Sequence, residues 1–334
     1  MMNYELFKEV VAEKFLNYMA PEFRDYNLDV HAVTKVNQTL DALNIIPTGN
    51  SDWKVSPTLY INQMYKHYQD CGDLQEVLQM AAESMVQGLK HAPDRKSVVD
   101  FENARNNIVM VLVNTEQNKE LLANAPHRQF QDLSIIYRWV VDQSQDGIAS
   151  TIINDSLAEK IGMTEEALYL IAVENTKQIF RPTVKSMNEV IRDMFAKDGM
   201  PEDMADMMFG EMPDDRAMYV ISNDRGINGA VSMLYENELH QLAERLGTDL
   251  YIMPSSIHEV IAVSTNMGDP NSLAQMVNEI NTDQVSLEER LSNQVYHYDK
   301  DLRKLSMATD TPYKRLDGIV ADTQFSYASK DQSR

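Results

Sequence analysis

The stretch that constrains this chain most is MYVISNDRGINGAVSMLYENELHQLAERLGTDLYIMPSSIHEVIAV, residues 218–263. An apolar run, an Asn/Gly turn, an amphipathic segment and two more apolar runs follow in order. Their lengths suit a strand, a turn, a helix and a pair of strands. The same stretch holds the densest set of reactive side chains, yet none falls at the spacing of a known catalytic or metal motif.

Elsewhere the pattern divides the chain. Phe7, Val11 and Phe15 recur at helical spacing before Pro21, which predicts an opening helix. Asn27–Val36 and Gln38–Ile46 alternate as paired strands, with a turn at Thr48, Gly49 and Asn50 and a third strand over Val55–Ile61. Asp73 caps a helix from Leu74 to about Leu89, with Glu76 at the third position after the cap. After Pro93, the apolar runs Ile108–Val113 and Leu133–Val141 read as buried strands, and Gly147–Asn154 as a third that turns at Asp146-Gly147. Thr164 opens a helix through Asn175, and Asp269 or Asn271 caps another over 271–281. The expected fold class is α+β. A helix–strands–helix unit spans 1–95 and a larger mixed α/β-sheet unit spans 96–282. Residues 283–334 lose periodicity and read as a partly disordered tail. From Met194 to Met218 inclusive there are seven methionines, an adaptable composition for a connector or a contact surface.

Thirty basic residues against fifty-one acidic ones leave a net charge of −21. Phosphate backbones are repelled by such a surface, so direct nucleic-acid binding is not expected. An acidic surface can instead imitate nucleic acid toward a basic protein. Cys71 is the sole cysteine, which excludes an internal disulfide and fits a reducing, cytoplasmic setting. The opening residues carry Glu5, Glu9 and Glu13 and do not read as a signal peptide. No apolar run approaches the roughly 18 residues of a bilayer span, so no membrane association is expected.

Three groups could carry chemistry. Ser256 and His258 lie two apart in Pro254-Ser255-Ser256-Ile257-His258-Glu259, which would put them on one face of an extended strand. With Asp224 as the orienting acid they would form a hydrolytic site, though no G-x-S-x-G elbow is present. The turn Asn223-Asp224-Arg225-Gly226-Ile227-Asn228-Gly229 follows a strand and precedes a helical pattern, so Asn223, Arg225, Gly226 and Asn228 could bind a ligand through free N–H groups. It matches neither a dinucleotide fingerprint nor a phosphate loop, and a plain tight turn accounts for the same residues. Glu236, His240 and Glu244 share a helix face without the paired histidines of a zinc helix, and a solvated face explains them. No metal or other cofactor is expected.

The blocks NYELFKEVVAEKF (3–15), SPTLYINQMYKHYQDCGDL (56–74), PHRQFQDLSIIYRWVV (126–141), GIASTIINDSLAEKIGMTEEALYLIAVENT (147–176), MYVISNDRGINGA (218–230) and DLYIMPSSIHEVIAV (249–263) occur in order. Together they resemble an uncharacterised family of Gram-positive, largely gut-dwelling bacteria, known only as a domain of unknown function. The resemblance covers most of the chain to about residue 300. It implies a cytoplasmic α+β protein and supplies no activity or catalytic residue. The first functional reading is therefore a non-enzymatic binding or regulatory protein acting on a protein partner. A Ser/His hydrolase and an acidic nucleic-acid mimic are the alternatives.

Overall fold

A computed structural model describes residues 1–48, 56–91, 104–143, 148–197 and 213–317, with positions 199, 204 and 208 besides. The chain is α+β, and it divides into two compact units. Unit 1 comprises Met1–Ile108 and Arg138–Met163; unit 2 comprises Val109–Tyr137 and Thr164–Arg334.

In unit 1 the opening helix runs Tyr4–Tyr18, started by the Asn3 side chain, which accepts from the Leu6 N–H at 2.9 Å. Phe7, Val11 and Phe15 are fully buried, as their spacing predicts. The hairpin of β1 (Asn27–Lys35) and β2 (Gln38–Ile46) turns on Val36 and Asn37, and β3 (Leu59–Tyr60) adds two residues on the far side of β2. Leu43 and Ile45 of β2 join the three phenylalanine-helix residues in the core. Lys8 Nζ and the Tyr4 hydroxyl both reach Asp41, at 2.5 and 2.7 Å, and tie the helix to β2.

The expected strand over Val55–Ile61 is shorter than its pattern. Ile61 starts a helix to Cys71 whose buried face is Ile61, Met64 and Tyr68, a period near 3.6 that the flanking apolar residues disguise. Gly72, at φ +73°, ends that helix, and Asp73 caps the next, Leu74–Lys90, by accepting from the Gln75 and Glu76 N–H groups. Cys71 lies exposed at this junction. Val55, the Gly49-Asn50 turn, Pro93 and the Asp146-Gly147 turn lie outside the described residues. Unit 1 also holds the second half of β6 (Leu133–Gln143) paired with β7 (Ile148–Ile152), then the helix Asp155–Lys160 capped by Asn154.

Unit 2 contains a six-stranded antiparallel sheet in the order β13-β12-β10-β11-β9-β8. Its strands are β8 (Pro182–Ser186), β9 (Tyr219–Asn223), β10 (Leu250–Met253), β11 (Val260–Ser264), β12 (Tyr296–Asp299) and β13 (Lys304–Met307). β4 (Ile108–Asn114), buried along its length, neighbours β6, which in turn pairs with β5 (His127–Phe130). Helices Glu165–Ile179 and Pro270–Gln284 start at the predicted caps Thr164 and Asp269, and the helix Glu236–Leu246 buries Leu239, Leu242 and Ala243. Among the described residues no helix is long and apolar enough to cross a membrane.

The segment read as a tail is the largest departure. Residues 283–317 carry β12 and β13 and bury Leu291, Val295, Tyr296, Tyr298 and Leu316. Four-residue strands with polar alternate positions leave too short a pattern to register in the sequence. Residues 318–334 lie outside the described residues, as does most of 198–212, where Gly199 and the exposed Met204 and Met208 are described.

Because Phe7 is fully buried while its neighbour Leu6 is 46 % exposed, Phe7→Ala is expected to destabilise the protein by about 3–5 kcal/mol. Leu6→Ala should change stability by no more than roughly 0.5 kcal/mol. Urea unfolding of both variants checks the pair.

Candidate functional site

The two turns singled out in sequence do meet in unit 2. Ser256 is buried, and its Oγ accepts from the backbone N–H of His258 at 3.0 Å. Ser222, on β9, donates to the His258 carbonyl at 2.8 Å, and the Asn228 N–H donates to His258 Nδ1 at 3.3 Å. Ser256 thus reaches His258 through the main chain, not through the ring. An accepting Nδ1 places the neutral ring's proton on Nε2. That nitrogen faces Glu289 Oε1 at 3.6 Å.

The acid nearest the imidazole is therefore Glu289, just beyond hydrogen-bond reach. Asp224, expected in that place, is exposed, and its backbone N–H donates to the Arg181 carbonyl at 2.9 Å. Arg225 and Gly226 are exposed on the same outer turn. Asn223 organises it: its Oδ1 accepts from the Arg225 N–H at 3.0 Å, its Nδ2 donates to the Ile227 carbonyl at 2.8 Å, and its own carbonyl accepts from Gly226. With Asn228 given to His258 and Ala230 to the Ile257 carbonyl, the N–H groups expected to cradle an anion hold the turn together. Burial pushes the Glu259 carboxyl up; His258 opposes that shift and the like charge of Glu289 adds to it.

The two carboxylates of the helix row are paired as well, whereas His240 Nδ1 has no hydrogen-bond partner among the described residues. Arg303 bonds Glu236 at 3.2 Å and Lys300 bonds Glu244 at 3.1 Å. Among the described residues no cluster of three or more His, Cys, Asp or Glu side chains is placed to hold a metal ion.

A different place has the concavity of a binding site. A cavity of about 630 Å³ in unit 2 is lined by the residues after β4, the β5–β6 turn, and the chain on either side of β12 and β13. Asp132 stands in its wall. Ser292 Oγ donates to one carboxylate oxygen at 2.6 Å and the Tyr296 hydroxyl to the other, while the Asp132 carbonyl accepts from the Thr115 N–H at 2.9 Å. Gln131, at φ +57°, makes the turn that presents it. Gln294 is locked on four sides: its amide donates to the carbonyl and hydroxyl of Thr311, and its oxygen accepts from the Thr309 hydroxyl and the Thr311 N–H. Met307 and Ala308 supply apolar surface, and Glu116, Asp310 and Lys314 the remaining charges.

Burial pushes the Asp132 carboxyl above the usual carboxylate value; the Ser292 and Tyr296 hydrogen bonds and the charge of Lys314 oppose the shift. The Tyr296 hydroxyl is pushed up too, by burial first and then by Asp132. Sequence reading missed this cavity because its lining comes from segments some 180 residues apart (115–132 and 294–314), one of them taken for tail. The one local sign was the Gln131-Asp132 pair just before the apolar run that begins at Leu133, a turn that any hairpin would need.

Two predictions follow from these geometries. A Cβ built on Gly229 would stand 2.3 Å from Ser222 Oγ, 2.5 Å from the His258 carbonyl oxygen and 2.9 Å from the Asn223 nitrogen. Gly229→Ala should therefore cost about 1–3 kcal/mol, against roughly 0.5 kcal/mol or less for the exposed Asp224→Ala, both read by urea unfolding. For Asp132 the folded state holds the carboxyl proton more tightly than the unfolded chain. Its contribution to stability is full below the unfolded pKa and is lost as pH rises through the folded value. Asp132→Asn removes this titration, so the stability of the wild type relative to the variant should fall from acid to neutral pH. A difference that grows with pH would place the folded pKa below the unfolded one.

No match was found among curated proteins or among solved structures. The model of a family of unknown function, DUF5688, matches residues 4–300. Nearly the whole chain is covered, including both turns around His258 and the part of the Asp132 cavity lining up to Gln294, and the protein belongs to this family.

Proposed function

We propose that this chain is a non-enzymatic binding protein whose receptor is the Asp132 cavity and whose ligand is a basic side chain, lysine or arginine, on a partner protein. The observation that carries the reading is the chemistry of the lining. Three carboxyls, on Glu116, Asp132 and Asp310, stand against two ammoniums, Lys119 at 2.5 Å from Glu116 and Lys314 at 3.0 Å from Asp310, beside the apolar surface of Met307 and Ala308. A lysine or arginine has the matching form, an apolar stem of methylenes with a cationic head. The rigid walls, with Asp132 and Gln294 each held by several hydrogen bonds, would bind without reorganising. The net charge of −21 would steer a basic partner toward the chain from any side. A cytoplasmic setting belongs to the same proposal, on the ground that the chain's one cysteine is free.

The test is fluorescence anisotropy with a labelled Lys/Arg–Gly peptide, a Glu–Gly peptide of equal length serving as control. The basic peptide should bind and weaken with salt, and the acidic one should not bind. Replacing both Glu116→Gln and Asp310→Asn should weaken binding about fivefold, since two partly exposed ion pairs together contribute on the order of 1 kcal/mol. The exposed pair Glu9→Gln and Glu13→Gln in unit 1 makes the same change in net charge and should leave binding unaltered. Equal weakening by both double variants would mean attraction by bulk charge alone and would end the proposal.

A further inference from the structure

Among the described residues β1 is the outermost strand of its sheet, with β2 as its one strand neighbour. Its nine residues pair without interruption from Asn27↔Ile46 to Lys35↔Gln38. The two-residue turn makes Lys35↔Gln38 a hydrogen-bonded pair, and bonding then alternates along the strand. The main-chain groups of Asp29, His31, Val33 and Lys35 therefore point at β2, and those of Leu28, Val30, Ala32 and Thr34 point away. Among the described residues these four have no ladder partner. A long straight edge of this kind is a template for another strand, and proteins usually blunt it with proline, a bulge or a covering loop. β1 has no proline and no break in register. The opposite edge is β3, only two residues long.

We infer that the occupant of this edge is a second copy of the chain, its β1 paired antiparallel to the first about a two-fold axis through Ala32. That register sets Val30 opposite Thr34 and Asp29 opposite Lys35, and the symmetry repeats each pair. The charges are complementary at both ends of the seam, and cross-strand pairs of opposite charge favour pairing. Moving the axis to His31 would set Asp29 against Val33 and Lys35 against Asn27, with no complementary charge. Leu28 and Val30 lie on the face that packs against the helices, as do Leu43 and Ile45 of β2. In the Ala32 register their counterparts in the second copy continue that apolar face, while the charged pairs stay on the wet side. Asp29 now contacts His31 at 3.0 Å and the Lys35 ammonium lies 5.3 Å from the Tyr60 ring centre; both are surface contacts that can exchange for the cross-seam pair. A self-complementary edge of this type closes on two copies, and the opposite edge, β3, is only two residues long.

Sedimentation equilibrium of the full chain over a wide concentration range reads the result. The wild type should associate to a dimer and no further. Ala32→Pro removes an outward N–H without touching the β2 ladder, and it should be monomeric with an unchanged far-ultraviolet spectrum. Lys35→Asp opposes two carboxylates at each end of the seam and should weaken the dimer about tenfold. Adding Asp29→Lys restores opposite charges and should restore association, which holds the test even if Ala32→Pro fails to fold. A wild type that stays monomeric throughout, a dimer indifferent to Ala32→Pro, or a charge swap without rescue would each overturn the inference.

Discussion

The carboxylate of Asp132 is the fixed point of unit 2. It sits on a tight turn between β5 and β6 and accepts hydrogen bonds from Ser292 and Tyr296, 160 and 164 residues further along the chain. Enclosing a carboxyl is costly, and its partners are what make the burial tolerable. The ring of Tyr296 stacks on Phe130, with planes 7° apart and centres 6.1 Å apart, so the polar anchor has an apolar one beside it. From this junction the geometry of the cavity follows. Thr115 is held by the Asp132 carbonyl, and Gln294 stands two residues after Ser292, whose Oγ accepts from its N–H.

What could be read in the sequence follows the range of the interactions concerned. The helix at Leu74–Lys90 was legible because its cap, its first-turn Glu76 and its apolar stripe lie within one short segment. The β1–β2 hairpin was legible for the same reason. The helix Ile61–Cys71 was hidden, since Leu59, Tyr60 and Ile61 favour a strand locally and only Met64 and Tyr68, buried against Phe7, fix the helical face. β12 and β13 were hidden more deeply. Tyr296 and Tyr298 are buried by β10 and by the Asp132 turn, partners with no trace in residues 290–307 themselves.

The His258 region illustrates the same point for chemistry. A serine and a histidine two residues apart suggest a proton relay, and the strand model put both on one face. The turn instead bends so that Ser256 Oγ takes the His258 N–H, and the ring looks the other way, toward Asn228 and Glu289. Glu289 could not have been named in advance. It arrives because residues 255 to 257 exchange main-chain hydrogen bonds with 289 and 291. Side-chain identity was legible there, and orientation was not, because orientation was set by a contact more than thirty residues away.

Charge poses a remaining physical question, since a chain carrying −21 should repel its own copy. The repulsion is long-ranged and is cut off beyond a Debye length of roughly 8 Å at physiological salt. A β1 seam acts inside that distance, through main-chain hydrogen bonds that salt barely touches and two ion pairs that it weakens modestly. Added salt therefore removes more of what opposes the seam than of what favours it. For a basic side chain in the Asp132 cavity the balance is reversed, because the net charge and the local carboxylates both attract. One acidic surface can thus leave its own edge open to a like-charged copy and still draw in a cation, the two events responding to ionic strength in opposite directions.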